Sequence, residues 1–354
     1  MTLLEQSIQN ITQPDQEIKS AALKRLANQA RPRGSLGRLE PAAARLASIC
    51  GRLDVKLDRK TIVTCAGDHG VVEEGVSLFP SEVTAQMVYN FVQGGASINV
   101  LAAHAGARVR VADLGVRHDF DPGLDILHKK IRKGTANMAT GPAMTREEAA
   151  ASVEAGIGIA NQLAESPGLD LLGTGDMGIG NTTASSAIIA VYSGLPLKEL
   201  VGPGTGLDEQ GLDLKARVIK KALDLNRPDP ADPMGVLARV GGLEIGGLAG
   251  LVIGAAARQI PVVCDGLIST AGALIACELC PAAGQYIFAG HRSRETGHEY
   301  MLRHLGLTPL LDLEMRLGEG TGAALAMHIL DACTRILADI KTFEEVGIEN
   351  AHEG

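Results

Sequence analysis

Four segments hold residue types at spacings that could do chemistry. The first is Gly173-Thr174-Gly175-Asp176-Met177-Gly178-Ile179-Gly180-Asn181-Thr182-Thr183. Glycines let backbone N–H groups come close to a phosphate, and a helix start just beyond them favours negative charge. Read literally, Gly173, Gly175 and Gly178 match G-x-G-x-x-G between a strand and a helix, the dinucleotide fingerprint. Three observations weaken that reading. The segment is not in the first βα unit. Asp176 would repel a pyrophosphate. Lys198 and Glu199 stand at a turn where a ribose-binding acid should close a second strand. A loop for one phosphate or ribose fits better, with Gly175, Gly178, Asn181 and Thr182 as candidates; a plain structural turn stays open.

The second segment is Gly202-Pro203-Gly204-Thr205-Gly206, followed by a helical pattern with Leu212, Ile219, Ala222 and Leu223 on one apolar stripe. Lys215 falls on that stripe, so its ammonium must snorkel out or meet a buried anion. The third is Arg316-Leu317-Gly318-Glu319-Gly320-Thr321-Gly322. Glu319 is either a carboxylate stabilised near a helix start or a general base on a Gly-rich loop. A dipole contact lowers such a pKa and an apolar pocket raises it. The fourth is a set of polar turns: Gly67-Asp68-His69-Gly70, Asp265-Gly266 and His291-Arg292-Ser293. Asp68 and His69 lack the further ligands that a metal site needs, so a hydrogen-bonded turn is expected. No Gly-x-Ser-x-Gly elbow occurs, which leaves Ser/His/Asp hydrolysis unsupported.

Short apolar runs must carry these segments. Residues 61–65, 109–112, 169–172, 260–264 and 287–288 read as buried strands, with Arg110 and Asp170 as polar exceptions. Helical patterns cover 81–92, 96–105, 145–164, 182–193, 209–225, 242–257, 269–279 and 320–338. Alternation of strand and helix predicts an α/β fold, a Rossmann-like parallel sheet flanked by helices. Ligands then collect beyond the carboxyl ends of the strands, where the four segments lie. Residues 1–55 and 305–354 are helical in pattern without a convincing strand. They are expected to form a smaller helical domain together, with 56–304 as the large α/β domain. The charged tail after Thr342 is expected to be partly mobile.

Composition narrows the classes. The 354 residues are 45% hydrophobic and 21% charged, enough for a sizeable core and against dominant disorder. The 43 glycines, without a Gly-X-Y period, point to many tight backbone turns. Net charge is −8 and aromatics are only 3%, which argues against nucleic acid as a partner but not against a small anion. The six cysteines are scattered, as suits reduced thiols in a cytoplasmic protein. Cys277 and Cys280 form one C-x-x-C inside a helical pattern, with no second pair to complete a metal site. The first 19 residues carry charged and amide groups unlike a signal peptide, and the apolar stretch near 247–257 is too short and Gly-rich to span a membrane. Several Gly-rich βα turns and one candidate base suggest an enzyme acting on a phosphorylated ribose. An NAD(P)-dependent oxidoreductase, resting on 173–178, and a non-catalytic nucleotide-binding protein are the rival readings.

Six segments identify a family resemblance: Arg33–Glu40, Gly67–Val71, Phe79–Val88, Gly94–Leu101, Gly173–Thr183 and Leu317–Gly322. In this order they are similar to the nicotinate-nucleotide–dimethylbenzimidazole phosphoribosyltransferase family. The resemblance implies transfer of phosphoribose from nicotinate mononucleotide to 5,6-dimethylbenzimidazole, giving α-ribazole 5′-phosphate and nicotinate, for the cobalamin lower ligand. It implies Glu319 as general base, and neither a metal nor a cofactor. It places Lys215 and the turns at 175–182 and 202–206, including Gly204, at the phosphate, with Ser293 as a further candidate. Phe79, Met87 and Leu317, with Gln86 nearby, would form the base pocket; another base or a phenol is an alternative acceptor. Asp176 stands where the family usually has Glu, one methylene longer. The resemblance also implies a homodimer with active sites near the interface.

Overall fold

The computed structural model describes residues 1–202, 204 and 206–349. Six strands form one parallel sheet: β1 (Lys60–Gly67), β2 (Ala107–Gly115), β3 (Leu127–His128), β4 (Leu171–Met177), β5 (Val262–Cys264) and β6 (Ile287–Ala289). Their order is β3-β2-β1-β4-β5-β6, and every pairing is parallel. The chain builds outward through β1, β2 and β3, then crosses back to lay β4 beside β1. This is the Rossmann-like order, and its reversal opens a crevice beyond β1 and β4.

The helices before β4 are α1 (Leu3–Asn10), α2 (Gln16–Ala27), α3 (Leu39–Cys50), α4 (Glu82–Val92), α5 (Ser97–His104) and α6 (Arg146–Glu165). Those after β4 are α7 (Asn181–Ser193), α8 (Glu209–Asn226), α9 (Pro233–Val240), α10 (Leu243–Ala257), α11 (Leu267–Leu279), α12 (His298–His304) and α13 (Thr321–Asp339). Every residue of β1 is buried, because helices cover both sheet faces. Ile62 and Thr64 point to one face: Ile62 packs at Gly173 and Gly320, and Thr64 Oγ1 donates to the Glu319 carbonyl at 2.9 Å. Gly67, three residues beyond Thr64, turns the other way, toward Glu244 at the start of α10. The helical segments near the chain ends pack together, with α3 against both α2 and α13. One contiguous apolar core joins them to the sheet.

The structure amends the sequence reading in several places. The strand expected at 169–172 instead begins at Leu171 and runs through Met177. Asp170 therefore falls outside it, where its carboxylate takes the Arg59 backbone N–H at 2.8 Å. Arg110 does lie in β2, tolerated because the two-residue β3, the outer neighbour among the described residues, pairs beyond it and leaves its guanidinium free to reach Asp125 at 3.0 Å. The short β3, α9 and α12 had too few residues for a clear period. Residues 305–320 contain no long helix. Leu310 and Leu311 donate backbone N–H groups to Ala289 and Gly290 just past β6.

The glycine excess is only partly a matter of turns. A methyl group at Gly156 would lie 2.0 Å from the Gly247 carbonyl oxygen, and one at Gly250 would lie 1.9 Å from that of Val153. Glycines thus let α6 and α10 touch backbone to backbone. Of the tail, Phe343 donates its N–H to Asn28 and a 3₁₀ turn spans Glu344–Val346. Residues 350–354, part of the segment expected to be mobile, lie outside the described residues.

Candidate active site

Glu319 ends the loop that enters α13. Its backbone has φ 64° between Gly318 at 87° and Gly320 at 101°. Left-handed backbone is costly for a side-chain-bearing residue, and such strain collects at functional sites. The surroundings hold it in place. Thr64 binds its carbonyl, and its own N–H donates to the Asp176 carbonyl at 3.2 Å. The carboxylate Oε2 accepts the Ile98 N–H at 3.1 Å, in the first turn of α5. Glu319 is 6% exposed. Burial raises its pKa, the Ile98 N–H opposes the rise, and Asp265 adds to it. The contest between dipole and burial therefore goes to burial, and the helix start that touches the carboxylate belongs to α5 rather than α13.

Two more buried carboxylates stand nearby. Asp265 caps α13: Oδ1 takes the N–H groups of Gly322 at 2.7 Å and Ala323 at 3.2 Å, and Oδ2 takes that of Gly320 at 3.0 Å. It thereby holds the residue after Glu319. Asp176, at the end of β4, accepts the Asn181 amide on Oδ2 at 3.0 Å, while Oδ1 has no hydrogen-bond partner among the described residues. Burial pushes the Asp176 pKa well above the usual carboxylate range, and the charges of Asp265, Glu244 and Glu319 push the same way. The site thus binds protons readily and would welcome a cation.

A cavity of about 430 Å³ opens against these groups. Phe79, Met87, Val83 and Leu317 line one part, and Asn181, Thr182, Gly204, Ser293 and Glu295 line another. Lys215 lies just behind the polar part, fully buried, with Nζ donating to Thr182 Oγ1 at 2.8 Å and the Gly202 carbonyl at 3.2 Å. Burial lowers its pKa to about 8 and Glu295 opposes the fall. Ser293 is set by a neutral histidine. Its N–H donates to His298 Nδ1 at 2.9 Å, and burial holds the His298 pKa near 3. Nδ1 is then the acceptor, and Nε2 donates to Thr270 Oγ1 at 2.9 Å.

A family model described as Phosphoribosyltransferase matches residues 11–348. A nicotinate-nucleotide–dimethylbenzimidazole phosphoribosyltransferase of Geobacter sp. (strain M21) is 56% identical over 348 residues, 98% of this chain and 99% of the relative. The chain belongs to this phosphoribosyltransferase family. A relative of the same name from Chloroflexus aggregans is 50% identical over 353 residues, covering 100% of both chains. A crystal structure of CobT from Thermus thermophilus superposes with TM-score 0.91 at 46% identity, covering 95% of this chain and 100% of that one.

Most of the residues expected at the site in this phosphoribosyltransferase line the one cavity: Phe79, Met87, Asp176, Gly178, Asn181, Thr182, Gly204, Ser293, Leu317 and Glu319. Three do not. Gly175 lies inside β4, where a methyl group would sit 2.2 Å from the Glu319 carbonyl oxygen. Gly173 likewise faces Ile62 and Met327. The dinucleotide fingerprint dissolves, since two of its glycines admit the Glu319 loop and α13 to the sheet rather than a phosphate. Gln86, one position before Met87 on α4, turns into a neighbouring cleft with Asp68, His69, Tyr89 and Arg117. Lys215 does not line the cavity itself and does not snorkel; its Nζ sits behind the polar end, bonded to Thr182 and Gly202 and close to Gly204. Pro203 and Thr205 of the second Gly-rich turn lie outside the described residues.

The Asp68–His69 turn is hydrogen-bonded on both side chains. His69 Nε2 meets Glu244 Oε1 at 2.7 Å with both side chains buried, and Asp68 Oδ2 takes the Arg117 N–H at 2.8 Å. Sequence reading missed Glu295 and Arg316 as cavity residues. Arg316 donates to the Gly204 carbonyl at 2.9 Å, tying two Gly-rich segments together. Its place beside the Leu317–Gly322 motif was a usable signal; Glu295, in a polar stretch without periodicity, gave none.

Proposed function

We propose that this phosphoribosyltransferase moves phosphoribose from nicotinate mononucleotide to 5,6-dimethylbenzimidazole, yielding α-ribazole 5′-phosphate and nicotinate for the cobalamin lower ligand. One observation carries the reading: a single cavity joins an apolar wall, a strained and buried Glu319, and a polar end backed by Lys215. The names of the relatives support the substrates.

The roles follow from charge. Phe79, Met87 and Leu317 hold the dimethylated base by burying its apolar faces. Glu319 removes the proton from one benzimidazole nitrogen as the other attacks C1′ of the ribose. The C1′–N bond to nicotinate breaks, and its electron pair neutralises the pyridinium. The leaving group therefore needs no acid, and the anomeric centre inverts. Glu319 later returns its proton to solvent. The balance closes without a metal or a redox cofactor.

Positive charge develops on the ribose in the transition state, and Asp176 is the nearby carboxylate that opposes it. The approaching cation draws its raised pKa back down, so the acid ionises when its charge is useful. Asn181, Thr182, Gly204 and Ser293 hold the 5′-phosphate, with Lys215 supplying positive charge through the wall.

The proposal extends to assembly and location. Phe79 and Leu317 are 50% and 55% exposed at the cavity, apolar surface that a second copy would cover in a homodimer. The six cysteines are all free, in keeping with a cytoplasmic protein. The helices of 1–55 and 305–354 are proposed as a small helical domain, supported by the packing of α3 on α2 and α13.

The test is chromatographic. Protein, nicotinate mononucleotide and 5,6-dimethylbenzimidazole are mixed, and both products should appear in equal amounts. Nicotinate without a new nucleotide would point to another acceptor, to be sought among other bases and phenols. No nicotinate from folded protein would reject the transferase reading.

A further inference from the structure

Glu295 is an unexpected wall for an anion subsite. It is 4% exposed and lines the polar end of the cavity. Oε1 accepts the Gly204 N–H at 3.0 Å, a donor that a phosphate could otherwise use. Oε2 has no partner. Gly202 leaves the carboxylate its room, since a methyl group there would lie 2.1 Å from Oε2. A buried carboxylate beside a bound phosphate places two like charges in a poorly screened space. A proton on the carboxyl removes the conflict.

We propose that Glu295 takes up the proton that phosphate binding calls for: in the complex its carboxyl is neutral, so nicotinate mononucleotide binds with proton uptake from solvent. The inference rests on the assignment of the polar end to phosphate. Burial already raises the Glu295 pKa, against the opposing charges of Lys215 and Arg316 and the Gly204 N–H. An entering phosphate raises it further. Lys215, with a pKa of about 8, is already mostly charged at pH 7, and a phosphate monoester, whose second pKa is about 6, is mostly dianionic there.

Calorimetric titration at pH 7 in two buffers of different ionisation enthalpy measures the uptake. Wild-type protein should take up close to one proton more with nicotinate mononucleotide than with the riboside that lacks the phosphate, a difference that cancels any proton Asp176 gives up to the shared cation. In Glu295→Gln the amide oxygen still accepts from Gly204 and the titratable group is gone. That difference should fall close to zero with the nucleotide still bound. Below about pH 7.5, before Lys215 discharges, the ratio of nucleotide to riboside Kd should rise with pH by up to about tenfold per unit in the wild type and stay nearly flat in the variant. Equal uptake by wild type and variant overturns the inference. Should Glu295→Gln not fold, equal uptake with nucleotide and riboside by the wild type does the same. Riboside binding as tightly as nucleotide overturns the phosphate assignment itself, a result distinct from either.

Discussion

The backbone N–H of Ile98 points at Oε2 of Glu319 across 3.1 Å, linking the start of α5 to a side chain 221 residues later in the sequence. That bond aims the carboxylate while the left-handed backbone of Glu319 presents it to the cavity. A base held this way needs no rearrangement when the acceptor arrives.

Replacing Glu319 by Gln keeps the shape and the Ile98 contact but removes the proton acceptor. Single-turnover rates should fall by about 10²–10⁴-fold, with nicotinate mononucleotide affinity retained. Unchanged turnover in folded protein would show that Glu319 is not the base.

The acid limb of kcat/KM should follow Glu319. Only the carboxylate accepts a proton, and burial raises its pKa, so activity should set in above the ordinary glutamate range. A limb centred near pH 4 would mean that another group controls it.

Asp176→Asn should be more heat-stable than wild type at neutral pH and yet slower in turnover. The folded protein holds the Asp176 proton more tightly than the unfolded chain does. Stability therefore falls as pH rises from the ordinary aspartate pKa through the raised one. Asparagine removes that loss, so the Tm profile against pH should flatten in thermal scans.

Lys215→Met should act on the nucleotide and not on the base. KM for nicotinate mononucleotide should rise, with little change for the acceptor. In the wild type the same KM should climb as pH passes about 8, where the ammonium discharges. An identical KM in both proteins would remove Lys215 from the phosphate end.

Gly175→Ala separates two uses of a glycine. Its new methyl group would meet the Glu319 carbonyl at 2.2 Å and the Gly320 nitrogen at 2.8 Å. We expect destabilisation of about 1–3 kcal/mol by denaturant titration, with a drop in kcat exceeding any change in KM. A change in nucleotide KM alone would restore Gly175 to the phosphate.

The sequence by itself determined the layered fold and singled out Glu319 as a candidate base. Apolar runs spaced by helical patterns force a covered parallel sheet, and a Glu among three glycines marks a close backbone approach. Those are local signals, carried by periodicity and residue type. Tertiary structure alone decided what each glycine serves, which way Gln86 and Met87 diverge on α4, and whether Lys215 meets solvent. It also decided that Asp265, Asp176 and Glu295 are buried beside one cavity. Such facts depend on which distant segments meet, as Ile98 meets Glu319. Burial and the fields of neighbouring charges, which set every proton affinity in the site, exist only once the sheet has brought those segments together.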